Sequence, residues 1–160
     1  MRRGTILACL LAALLALTAC GTYPADPDGT LDRVRGGTLR VGASANGDWV
    51  RLPEGAGTGR VEGTEADLVR QFADRIGAEV EWVQGTEHVL AEELKHGALD
   101  LVIGGLDDKT PWSTHAGLTR PYTESRDSRG SLHKHVMLVP LGENAFLLEL
   151  DRFLLEGGQS

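Results

Sequence analysis

The residues of this chain with the means to bind or react gather in two stretches. One is "DLVIGGLDDKTPWSTHAGLTRPY", Asp100 to Tyr122, where an apolar run opens into a polar loop carrying Gly104, Gly105, Asp107, Lys109 and Trp112. The other is "GASANGDWV", Gly42 to Val50, which sets Ser44 and Trp49 just past a shorter apolar alternation. Loops leaving the carboxyl ends of strands are where open α/β sheets bind ligands. Asp107 can accept from an ammonium group, and an aromatic pair beside an acid favours a cation or an amine over a free amino acid. The same residue types also fit a solvated turn at Asp107, Asp108 and Lys109, with Trp49 and Trp112 covering an exposed edge.

Other spacings lead to less. His133 and His135 in "HKH" fall on one side of an extended chain, with Met137 and His115 as conceivable partners. Two imidazoles without an assured third ligand do not define a metal site, so neither a metal nor a cofactor is expected. Gly57, Gly59 and Gly63 superficially resemble a dinucleotide loop, yet a long insertion parts them from the preceding strand and the strand–turn–helix context fails. "GASAN" lacks the final Gly of a nucleophile elbow, and no spacing couples a Ser, a His and an Asp. The chain therefore reads as non-enzymatic. Glu65 and Asp67 suit the first turn of a helix, near the positive end of its dipole.

The elements that must position these residues follow from periodicity. The 160 residues are 41% hydrophobic and 24% charged, which fits one globular domain with an appendage. Met1-Arg2-Arg3 is a basic start, and Ile6 to Ala19 is an almost unbroken Leu/Ala run. At roughly 14 residues it is shorter than the about 20 needed to cross a bilayer, and it suits a secretory leader. Leu17-Thr18-Ala19-Cys20 resembles a bacterial lipobox, so residues 1–19 are expected to be a lipoprotein signal peptide and Cys20 the lipidated residue. Cys9 would leave with the leader, which excludes a disulfide and a Cys-based metal site. Loss of Arg2 and Arg3 leaves 14 basic against 23 acidic residues, a net charge of -9. That balance argues against nucleic acid as a partner and against docking flat on anionic lipid.

Residues 20–37, rich in Gly, Pro and Asp, read as a flexible spacer. A domain over 38–156 and a tail over 157–160 follow. Thr38 to Ala43 alternates as a strand. Thr64 opens a helix with the look of a capping box, with Leu68, Val69, Phe72, Ala73 and Ile76 on one face and Gly77 at its end. Val80 to Gln84 is a strand, Thr86 to His96 a helix, and Asp100 to Gly104 a strand buried on both faces. Ser125 to Ser131 reads as a polar, mobile loop, His135 to Pro140 as a strand, and Glu143 to Glu156 as an amphipathic helix. The fold class is α/β: a single open, mainly parallel sheet with helices on both faces.

From Gly37 onward these pieces resemble the extracellular solute-binding proteins of polar amino-acid ABC importers, solute-binding family 3. "GGTLRVGASA" is similar to the family's opening strand, "EGTEADLVRQFADRIGAEVEWV" to its first helix and second strand, and "AEELKHGALDLVIGGL" to the helix before its buried third strand. "TRPY" resembles the Ser-x-Pro-Tyr step into the interlobe crossover. The resemblance implies one lobe of a type II periplasmic binding protein, with an aromatic after the first strand stacking on the ligand and backbone groups after the third holding its polar end. Ser44, Trp49, Gly104, Gly105, Asp107, Lys109 and Trp112 are the ligand-binding candidates on that basis. Two departures stand out. Only about 12 residues separate Tyr122 from the strand at His135, so the second lobe is expected to be missing. Trp112 falls where the family has its carboxylate-binding Arg, and an indole supplies one N–H and no charge; Lys109 is the candidate to replace that charge.

The expectation is a lipid-anchored, extracytoplasmic domain that binds a small polar or cationic solute in association with an ABC transporter permease. One lobe leaves half a ligand wet, and a homodimer meeting edge to edge can restore enclosure. The alternative is an interaction or regulatory lipoprotein, in which the exposed edge with Trp49 and Trp112 docks a protein partner.

Overall fold

A computed structural model describes residues 24–53 and 60–157. The expected leader, Cys20 and the Gly57–Gly59 spacing lie outside the described residues. In chain order the elements are α1 (Thr30–Val34), β1 (Thr38–Ala43), α2 (Thr64–Ile76), β2 (Glu79–Gln84), α3 (Glu87–Lys95) and β3 (Leu101–Ile103), then a 3-10 turn (Pro111–Thr114). They continue with β4 (Gly117–Leu118), β5 (Thr123–Arg126), β6 (Leu132–His135), β7 (Leu138–Val139) and α4 (Asn144–Gly157).

The main sheet runs β2-β1-β3-β7-β4. β1 is parallel to β2 from Thr38↔Glu79 to Ala43↔Gln84, and to β3 from Val41↔Leu101 to Ala43↔Ile103. β7 is antiparallel to both its neighbours, β3 and β4. Strand alternation splits the core into two layers. Leu39, Val41, Ala43, Leu101, Ile103, Met137 and Val139 pack with α1, α2 and α4, while Val102 and Leu138 pack with Leu90, Ala91 and Leu94 of α3. Apolar residues at period two thus meet helical stripes on both faces. The molecule is an α/β lobe with a mainly parallel sheet covered on both sides.

Three local expectations change. Residues 24–37 are not all spacer, because α1 buries Thr30, Leu31 and Val34 in the core layer shared with α4. The free amides at its start are met by carboxylates: Glu143 accepts from Asp28 and Thr30, and Asp26 accepts from Leu31. Short-range composition hid this, since Glu143 lies more than a hundred residues away. Thr64 is the first helical residue of α2 rather than its cap, and makes no side-chain capping bond. Instead the carbonyl oxygens of Asp48 and Trp49 accept from the amides of Thr64 and Glu65, each at 3.1 Å. That approach requires glycine at position 63, whose φ is +115° and where a Cβ would sit 2.4 Å from the Trp49 carbonyl oxygen.

The third change is the most consequential. The polar stretch Ser125 to Ser131, expected to be a mobile loop, is the end of β5 and the turn of a β5–β6 hairpin, paired from Thr123↔His135 to Arg126↔Leu132. The Asp127 carboxylate accepts from the amides of Arg129 and Ser131 and shapes the turn. No second lobe lies between the two strands. Backbone bonds from Asp108 to Lys134 and from Val136 to Leu106 hold the hairpin against the exit of β3. The strand expected over His135 to Pro140 is accordingly divided, with His135 in the hairpin and Leu138–Val139 in the main sheet.

Candidate functional site

The carboxyl ends of β1 and β3 meet at one edge, and the group that organises it is Glu65. It shares a helical stripe of α2 with Val69 and Phe72 and is fully buried. Its Oε2 accepts from the amides of Gly104 and Gly105, both at 2.8 Å, and its Oε1 accepts from the Tyr122 hydroxyl at 2.5 Å. Burial pushes the Glu65 carboxyl above its ordinary range, against the pull of these three donors. Burial and the adjoining Glu65 also push the Tyr122 phenol well above its usual value. One carboxylate thereby ties α2, the β3 exit and the start of the hairpin together.

On the other side of the β3 exit, Asn46 Nδ2 donates to the Gly104 carbonyl at 2.7 Å. Ser44 extends the β1–β3 ladder through its amide to Ile103 and is buried. Gly105 has φ +63°, and a Cβ there would lie 2.6 Å from Asn46 Nδ2 and 2.8 Å from the Trp49 ring. The indole of Trp49 is laid against this bare backbone and against His135, with ring centroids 3.9 Å apart. His135 exchanges a hydrogen bond with Ser125 Oγ at 2.7 Å, and burial holds its imidazole below the usual range.

The edge therefore brings Ser44, Trp49, Gly104 and Gly105 together. The other three candidates do not converge with them as a ligand shell. Asp107 is held by His133 Nδ1 at 2.7 Å and by the Lys109 amide at 3.0 Å, so its oxygens are engaged within the protein. This ion pair lowers the Asp107 carboxyl and raises the His133 imidazole, which also faces Asp127. Lys109 is exposed on the same loop. Trp112, in the 3-10 turn, packs on the α3 layer, 5.5 Å from the His88 ring and with its N–H 3.5 Å from Glu87. Trp49 packs on the opposite layer. The two indoles do not form a pair, and the reading that rested on one is corrected.

His133 and His135 do not act together as metal ligands either: one faces two aspartates, the other a serine and an indole. Among the described residues, no group of three or more His, Cys, Asp or Glu is arranged to hold a metal ion. No described helix is long and apolar enough to cross a membrane.

A cleft of about 430 Å³ opens beside the edge, between the loop after β1, the start of α2 and the end of α4. Asp48, Trp49, Thr64, Leu68, Tyr122 and Leu154 line it. Sequence reasoning reached Trp49 but not Glu65, Asn46, Tyr122 or His135 as site residues. A usable signal existed for Glu65: an acid at i, with Val69 at i+4 and Phe72 at i+7, stands on the apolar stripe of its helix.

This arrangement, a doubly covered, mainly parallel sheet whose strand ends face a cleft, is one lobe of a periplasmic binding protein. The chain belongs to the bacterial extracellular solute-binding proteins, family 3, whose family model matches residues 47–157. Among solved structures, it resembles the arginine-bound form of domain 1 from TmArgBP, the T. maritima protein, with a TM-score of 0.66 at 23% identity. That match covers 82% of this chain and 99% of that domain. The ancestral amino acid-binding protein AncCDT-1, a precursor of cyclohexadienyl dehydratase, matches with a TM-score of 0.70 at 15% identity, covering 82% of this chain and 94% of that one. A Salmonella typhimurium periplasmic binding protein with high arginine specificity matches at 0.65 and 12% identity, over 77% of this chain and 94% of that one. At these identities the likeness is one of fold. Comparison with curated protein sequences gave no match.

Proposed function

We propose that this chain is a lipid-anchored, extracytoplasmic solute-binding lobe that takes a small cationic solute and serves an ABC-type permease. The observation that carries the ligand class is Trp49, packed against Gly105 and His135 and lining a cleft that the Asp48 carboxylate also lines. An aromatic wall beside an acid is a setting for a cation. The arginine-bound form of domain 1 from TmArgBP supports a role for a lobe without its companion. Extracytoplasmic placement is supported by the family, and the anchor by the Leu17 to Cys20 pattern. The protein-docking alternative relied on both indoles at one exposed edge, and their separation onto opposite layers removes that support.

The test is isothermal titration calorimetry of the full chain in detergent against arginine, a polyamine and a quaternary amine. Binding of at least one is expected, with the weak affinity of a half-open site. Absence of heat with all three at about millimolar concentration, where a Kd of 1 mM corresponds to about -4 kcal/mol, removes the solute-binding reading.

A further inference from the structure

We infer that the solute is an organic cation without a carboxylate, an alkylamine or alkylguanidine, and that a free amino acid is the poorer ligand. This rests on the solute-binding reading above and narrows it. A carboxylate needs either a guanidinium or ammonium partner or a nest of free amides. Among the described residues the edge has two places where backbone amides gather, and both are already satisfied from within. Gly104 and Gly105, at the β3 exit, donate to the buried Glu65 carboxylate at 2.8 Å each. Thr64 and Glu65, at the start of α2, donate to the carbonyls of Asp48 and Trp49 at 3.1 Å each. A bound carboxylate would have to displace an internal acceptor at either place, one of them a fully buried charge-bearing side chain.

Side chains do not make up the difference. No Lys or Arg lines the cleft among the described residues, whereas Asp48 does. Asp48 meets Arg51 at 3.3 Å, but both side chains are more than half exposed. Such a pair is weak and its partners can separate for a ligand. Trp112 lies on the other core layer and brings no charge. In this scheme Asp48 and Trp49 touch the cation, and Glu65 is a positioning residue that closes the amide nest to anions.

The deciding measurement compares arginine with agmatine, the same guanidine without its carboxylate, by calorimetry on the full chain in detergent. Agmatine is expected to bind more tightly than arginine, and arginine methyl ester to follow agmatine. Asp48→Asn is expected to weaken agmatine by about two- to fivefold, and Trp49→Leu by roughly two- to thirtyfold. Binding of arginine as tight as that of agmatine, or tighter, overturns the inference while leaving solute binding intact. Failure of both compounds, and of the polyamine and quaternary amine, overturns the solute-binding reading itself.

Discussion

Glu65 has three donors converging on it, and none of them has another hydrogen-bond acceptor among the described residues. Removing the carboxyl group strands two amides and a phenol in a dry site, where each unsatisfied donor costs about 1–3 kcal/mol. Glu65→Ala is therefore expected to destabilise the lobe by about 3 kcal/mol or more, measured as a fall in the urea midpoint. Glu65→Gln keeps one acceptor for the amides and lets the Tyr122 hydroxyl turn to accept from the new NH2, so it is expected to stay within about 1 kcal/mol of the parent. Equal losses in the two variants would show that the carboxylate itself is required and that an amide of the same shape does not replace it as acceptor. The position was legible in part. An acid on the Val69–Phe72 stripe marks a buried charge, but only the fold shows that its partners come from the β3 exit and the hairpin.

The β5–β6 hairpin is the element the sequence concealed most thoroughly. Its strands are polar, Thr123–Arg126 and Leu132–His135, and Leu132 is the one aliphatic side chain in them, so no apolar alternation announces them. What orders them is tertiary: the Trp49–His135 stack, the Asp107–His133 pair and the backbone bonds to the β3 exit. The ion pair makes the docking pH-dependent. Asp107 and Asp127 raise the folded-state affinity of His133 for its proton. The stability contributed by His133 is then complete below its unfolded value of 6.5 and is lost as pH rises through the raised folded value. A His133→Gln variant is expected to melt below the parent at about pH 5.5 and to converge with it at about pH 9, once the imidazole is neutral in both states. A gap that persists unchanged across that range would assign the effect to shape rather than charge.

At the scale of the whole molecule, the lobe begins before its first strand. Leu31 and Val34 are buried against α4, and Glu143 reaches back to the amides that start α1. Burying two such side chains contributes about 3 kcal/mol or more. A chain beginning at Gly37 is thus expected to melt roughly 10 °C below one beginning at Gly21. Coincident melting curves would show that α1 adds nothing to the lobe. The proposed anchor has its own test. Cys20→Ser is expected to abolish incorporation of labelled lipid, and persistent labelling would contradict lipidation at Cys20.

Local pattern was enough to determine the order of strands and helices from Thr38 to Ile103, their amphipathic faces and the placement of the loops after β1 and β3. Each of those features rests on period-two or period-3.6 burial that neighbouring residues report by themselves. The tertiary structure alone decided that Trp49 and Trp112 stand on opposite layers, that Asp107 is engaged by His133, and that α1 belongs to the core. It also decided that Glu65 occupies the amides otherwise free to hold a carboxylate. These outcomes depend on contacts between residues distant in sequence, and a buried polar group takes whatever partner the fold brings within hydrogen-bonding distance.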